Sequence, residues 1–403
     1  MVLDYMEKVR LISANARYFL AGGLFNGLGM SVFMLLFNLY LKEFGYSETS
    51  IGHILSAGAL GAAVIAVPAA MIIERFHLKH ILIAGTLLSS LSYGLQVFFK
   101  DVNMILLFSF AATMFITVYR VSVAPFFMRN STPSERIYLF SLSNAIMMLS
   151  QLIGFFLGGF LPKLFLSLHL ADSLTSAYRL SLYTSIGLTL ISIIPFLSIE
   201  QRPVPRVKTN FLEKIRSYDW KIIIRLMIPK IFVGMGAGLV IPFMNLYFKM
   251  VFGLESDSIG IFFSILQVFM FFGMLSAPFL TKRFGMIKSI VLTELASVPF
   301  MFILAVTRNL PLAVAAFILR GTLMNMNIPI SSNFEMELVK EAHQPFTNAI
   351  SMLAWNGAWT VSAHWGGKII EEHSFSFSFF ITITLYVISA VTYYYFFRNR
   401  KTL

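Results

Sequence analysis

Cysteine is absent from this 403-residue chain, and charge is scarce, at 12% of residues. Without thiols there is no disulfide, no thiolate metal site and no cysteine nucleophile. Soluble domains carry roughly a quarter of their residues as charged groups, about twice the share found here. With 57% hydrophobic residues and a mean hydropathy of +0.77, such a surface would precipitate in water but is well solvated by lipid. Acids are scarcer still, 19 against 31 bases, for a net charge of +12. On a soluble chain that balance would suggest nucleic acid; here the placement of the cations argues against such a partner. A cleavable leader is also missing from the reading. Residues 1–17 are polar and basic, and the first apolar run continues past leader length, so it reads as a retained membrane helix.

What the chain does have is long apolar runs. Twelve of them, bounded by charged or turn-rich breaks, cover 17–41, 51–73, 81–99, 104–127, 138–162, 179–199, 222–248, 258–281, 287–306, 310–333, 347–367 and 375–397. Most reach the roughly 20 residues that cross a bilayer as a helix. With both ends on the cytoplasmic side, 21 Lys and Arg residues fall in inner segments. Only Lys42, Lys100, Lys163, Lys249, Arg308 and Lys368 fall outside, with Arg179 at a boundary. Positive charge kept on the inner side explains the basic balance and supports both the helix count and the orientation. The expectation is therefore an all-α protein of the cell membrane, with contacts to lipid and both termini cytoplasmic. The polar stretch 200–220, with Pro203 and Pro205, reads as a cytoplasmic linker between a bundle at 1–199 and another at 221–403.

The two halves repeat one another. Gly27-Leu28-Gly29 corresponds to Gly234-Met235-Gly236, and Asn38-Leu39-Tyr40 to Asn245-Leu246-Tyr247. Ser50-Ile51-Gly52 matches Ser258-Ile259-Gly260, and Arg75-Phe76 matches Arg283-Phe284. Further on, Pro125 matches Pro329 and Asn144-Ala145-Ile146 matches Asn348-Ala349-Ile350. A collinear series at nearly constant spacing indicates duplication. Six helices separate equivalent positions, so two pseudo-symmetric six-helix bundles of the same orientation are expected.

A parallel 6+6 repeat with a basic central loop resembles the major facilitator superfamily over nearly the whole chain. The family's turn after its second helix reads Gly-x-x-x-Asp-Arg-x-Gly-Arg-Lys. Here those positions hold Ala70, Glu74, Arg75, His77, Leu78 and Lys79, and the second half keeps Arg283 and Gly285. The segments 324–329 and 336–339 are similar to bacterial members. The resemblance implies transport of a small solute by alternating access, with helices 1, 4, 7 and 10 lining a central cavity. It also implies that Glu74, Arg75 and Arg283 act in inter-bundle gating.

A charge inside a membrane helix costs about 3 kcal/mol or more, so each needs a reason. Arg120 lies mid-way along the fourth helix, sharing a face with Thr113 and Thr117; Arg320 lies mid-way along the tenth, sharing one with Asn327 and Ser331. Two guanidinium groups on cavity-lining helices suit a carboxylate, phosphate or sulfate group. Against this stands a bond to helix carbonyls that only shapes the cavity. Lys230, on a face with Gly234 and Gly238, is near enough to the interface to snorkel. Asn26 is a further cavity candidate, equally suited to bonding between helices. Glu294 reads as the only acid well inside a helix; it and His364 are the candidates for proton coupling.

These residues point to a secondary transporter of an anionic, zwitterionic or amphipathic organic compound, with efflux the first reading and uptake of a small metabolite the second. Protons or a counter-substrate would drive it. No metal or cofactor is called for. No catalytic cluster is evident, which sets aside a membrane-embedded transferase; a non-transporting receptor on the same fold is the other alternative.

Overall fold

In a computed structural model the described residues are 12–200, 219–340 and 343–398, all helical or in short connections, with no strand among them. The expected linker at 200–220 falls almost wholly outside them. The helices are α1 (Ala14–Glu43), α2 (Glu48–Arg75), α3 (Leu78–Phe98), α4 (Val102–Asn130), α5 (Pro133–Ser167) and α6 (Leu174–Leu197). Then follow α7 (Trp220–Phe252), α8 (Ser256–Phe284), α9 (Met286–Val306), α10 (Leu310–Glu337), α11 (Gln344–Glu372) and α12 (Phe375–Phe397). Their starts are set by local chemistry. Side chains of Ser13, Asp101, Ser173, Asp219, Asn309 and Ser374 each accept a hydrogen bond from an N–H of the first turn. These bonds satisfy donors that a helix end otherwise leaves open.

Eleven of the twelve helices are apolar and long enough to cross a membrane. The twelfth, α11, is long enough at 29 residues but carries Asn348, Ser351, Asn356, Ser362 and His364 along its length. Two helices are interrupted. α6 breaks at Ser192, just ahead of Pro195. α7 passes through a 3₁₀ turn at Ile241–Phe243, where Pro242 has no N–H to give to the preceding turn. α10 runs four residues beyond the end expected at Asn333, and those residues prove to be functional candidates.

The chain divides into two compact units: Met1–Phe44, Val64–Lys208 and Glu255–Ser264 in one, Gly45–Ala63, Thr209–Leu254 and Ile265–Leu403 in the other. In the first, α1 packs on α5 and α6, and α3 on α4 and α6. In the second, α7 packs on α11 and α12, and α9 on α10 and α12. The pattern is the same, six helices on. The duplication extends to single contacts. A Cβ on Gly158 would meet the Val32 Cα at 3.1 Å, and one on Gly366 the Leu239 Cα at 3.1 Å. At the next crossing Gly154 faces Ser31 in one unit, whereas Gly238 faces Ser362 in the other. The serine and the glycine have changed sides while the space between the helices is conserved. Small residues let membrane helices approach this closely.

Each unit has an aromatic core. Phe19 stacks on Phe126 at 4.8 Å and meets Phe127 edge-on in the first. Phe334, Tyr393 and Phe397 play the same part in the second. The second core differs in being bordered by ionisable side chains.

Candidate functional site

The C-terminal unit holds a buried ion pair that the sequence does not announce. The Lys230 Nζ of α7 donates to Glu335 Oε1 of α10 and to Ser351 Oγ of α11. Ser351 in turn donates to Glu335 Oε2 at 2.8 Å. The Glu335 side chain is 5% exposed, that of Lys230 22%. Lys230 therefore does not snorkel; its charge is met inside the unit. Glu294 is likewise not the only acid within a helix. The run Ser331-Ser332-Asn333 looked like a helix end, but α10 continues because Glu335 finds a cation and Asn333 donates to Glu337 at 2.9 Å. Ile330 and Phe334 bury the neighbouring face. A lysine set amid apolar α7 residues, including Leu226 and Met227, was the one available hint that an acid must lie opposite.

Along α11, Trp355 lies one turn beyond Ser351, and its ring is 5.8 Å from that of Trp359. Gly234, one turn beyond Lys230, makes room for this face, since its Cβ would meet Ala358 Cβ at 3.0 Å and the Trp355 carbonyl at 3.3 Å.

A second polar group borders the same core. Arg320 of α10 is 6% exposed and donates to the Tyr386 hydroxyl of α12, with its guanidinium 5.5 Å from that ring. Gly236 of α7 lets Tyr386 come close: a Cβ there would meet its Cε1 at 2.8 Å. Glu294 of α9 is 1% exposed and lies beside Ser389. It is within electrostatic reach of both Tyr386 and Tyr393, and Tyr393 is within reach of Glu335. One oxygen of Glu294 and the Nε of Arg320 have no hydrogen-bond partner among the described residues. Arg320, Tyr386, Glu294, Tyr393, Glu335 and Lys230 thus form a sequence of polar groups through the C-terminal unit.

The profile of the Major Facilitator Superfamily matches residues 19–363, most of the chain. The chain belongs to the major facilitator superfamily. Comparison with curated protein sequences yields no match. Among solved structures, the nucleoside transporter NupG is similar at a TM-score of 0.80 and 12% identity, covering 96% of this chain and 99% of that one. A bacterial homologue of the human lysosomal transporter Spinster gives 0.78 and 14%, covering 96% and 98%. A bacterial homologue of the iron transporter ferroportin gives 0.77 and 14%, with the same coverage. At these identities the likeness establishes the fold alone, and no cargo.

The remaining candidates are placed as follows. Arg120 is exposed on α4, in electrostatic reach of Tyr93 and Tyr119, with no hydrogen bond or ion pair among the described residues. Thr117 is turned to its own helix, donating to the Thr113 carbonyl at 2.7 Å. Asn26 is buried with its Nδ2 unpartnered, between Gly22 and Gly29 on the α1 stripe that meets α6. Asn327 is half-buried with an unpartnered Oδ1. Of the superfamily's turn residues, Arg75 is exposed, and exposed Arg283 lies 5.3 Å from the Phe284 ring; the Glu74 side chain is outside the described residues. His364 stacks on His53 at 4.3 Å between ring centroids, within the second unit.

Proposed function

We propose that this protein is a secondary active transporter that moves a small organic anion or zwitterion across the cytoplasmic membrane by alternating access. The observation that carries the reading is Arg120, a guanidinium at mid-span with no ion-pair partner among the described residues. Holding a charge there is costly, and a permanent cation able to make paired hydrogen bonds suits a carboxylate or phosphate group. Superfamily membership supports transport rather than catalysis. Efflux is the first reading of direction, uptake the second.

The test is ligand-induced thermal shift on detergent-purified protein with benzoate, lactate, phenyl phosphate and the cationic dye ethidium. The anions are expected to raise the melting temperature and Arg120→Gln to abolish that rise. Stabilisation by ethidium alone, unchanged in Arg120→Gln, would sink the reading. Flux of the stabilising anion in vesicles of known sidedness then gives direction.

A further inference from the structure

We infer that the N-terminal unit binds one anionic phospholipid in the groove between α3 and α6, with an acyl chain lying along the groove and the phosphate at Arg179. The site shares no residue with those assigned to cargo and does not depend on what that cargo is.

Two stripes of side chains line this groove, Leu87, Leu91 and Phe98 from α3 and Tyr183, Ile186 and Leu190 from α6. The cleft between them holds about 340 Å³, a size suited to a small ligand, and its lining is almost wholly apolar. Leu87, Leu91 and Phe98 are exposed, so the groove opens sideways to lipid. Gly94 leaves its floor clear: a Cβ there would meet only Ile186 Cδ1, at 3.9 Å. Phe98, at the end of α3, and Leu87 lie eleven positions apart, about 16 Å along a helix. That is roughly half of a 30 Å hydrocarbon core, the depth to which the acyl chains of one leaflet descend.

A cation stands where the groove reaches the membrane surface. Arg179 is one turn before Tyr183 on α6, its guanidinium 5.9 Å from that ring, and it makes a long bond of 3.4 Å to the Phe98 carbonyl. Its Nε has no hydrogen-bond partner, and no acid pairs with it, among the described residues. A guanidinium with donors to spare suits the paired oxygens of a phosphate. The second unit supplies the contrast. α3 and α9 are both 21 residues long, and α6 and α12 both follow a serine cap, Ser173 and Ser374. Aligned from these starts, Gly94 falls opposite Phe302 and Arg179 opposite Phe380. Those two rings lie 6.0 Å apart, edge to face. The second unit thus fills with its own aromatic side chains the place that the first leaves open beside a cation.

Native mass spectrometry of the protein in detergent, titrated with palmitoyl-oleoyl phosphatidylglycerol or with the phosphatidylcholine of the same chains, tests the site. Wild-type protein should take up a first phosphatidylglycerol more tightly than a first phosphatidylcholine. Gly94→Leu, whose Cβ approaches no backbone, should stay folded and lose that tight adduct. Arg179→Gln leaves the groove intact and should bind phosphatidylglycerol about fivefold more weakly, the effect of one cation at an anionic lipid surface. Wild-type affinity in Gly94→Leu overturns the groove as the site. An undiminished first adduct in Arg179→Gln overturns the headgroup assignment. Equal binding of the two lipids by wild-type protein shows an adventitious annular lipid only and overturns the whole proposal.

Discussion

At the scale of single residues, removing one member of the Lys230–Glu335 pair differs from removing both. Lys230→Met alone leaves a carboxylate in the core with only a hydroxyl for company. Loss of one partner of a buried pair typically costs 3–5 kcal/mol, and the partial exposure of Lys230 places the expected loss at roughly 3 kcal/mol. Lys230→Met/Glu335→Leu should recover most of that stability, since apolar replacement of a buried pair is often neutral or favourable. Melting of the two variants in detergent compares them directly, and a double variant less stable than the single one would contradict the burial argument. The residue scale is also where sequence reading falls short. Lys230 and Arg320 both stand out as cations in apolar runs, and each has its place explained by a partner more than sixty positions away, Glu335 and Tyr386. Helical spacing relates residues within one helix; it says nothing about which helix lies opposite.

At the scale of elements, the serine and glycine exchanged between the two repeats make a sharp prediction. Gly154 already meets Ser31 so closely that its Cβ would be 2.6 Å from the serine's. Gly154→Ser should therefore force α1 and α5 apart, an overpacking of about 1–3 kcal/mol. Ser31→Gly with Gly154→Ser places the pair as α7 and α11 have it at Gly238 and Ser362, and should recover part of that loss but not all, because the new Cβ still meets the Leu28 carbonyl at 2.8 Å. Gly187→Ala, with nothing within 4 Å of the new methyl, is the control. Helix existence was legible from apolar runs because lipid demands them. Helix ends were less so: α5 runs to Ser167 and α10 to Glu337, each past a break that hydropathy marked as final. Polar residues end a helix in water but need not when neighbouring helices satisfy them.

For the whole molecule, the absence of cysteine supplies a clean background for mapping sidedness. On the orientation expected from the placement of Lys and Arg, Ser131→Cys between α4 and α5 should react with an impermeant maleimide only from the cytoplasmic side. His169→Cys between α5 and α6 should react only from the outside. The reverse pattern in intact cells would refute the orientation drawn from Lys and Arg placement. The duplicated plan was the most readable property of the sequence, because matched motifs such as Asn38-Leu39-Tyr40 and Asn245-Leu246-Tyr247 survive at fixed spacing. What the repeat could not convey is the asymmetry. At the spacing of the repeat Lys230 and Glu335 fall opposite Gly23 and Ser131, and the first half joins the same two helices through an uncharged bond, Asn15 donating to Asn130 at 2.8 Å.

The interruption of α7 gives the C-terminal unit a built-in joint. Before the 3₁₀ turn, α7 is fastened at three places: Lys230 to its acid, the Pro229 carbonyl to Ser389, and the Gly236 carbonyl to Thr382. After it, the nine residues Met244–Phe252 are held through the Tyr247 hydroxyl, which donates to the Leu304 carbonyl at 2.8 Å. A rod broken between two sets of clamps bends at the break. Movement of the far piece would then reach Lys230 as a change of angle at Ile241–Phe243, and it would involve α10 and α12 as well as α9, since Phe248 rests against Phe317 and Tyr247 against Phe379.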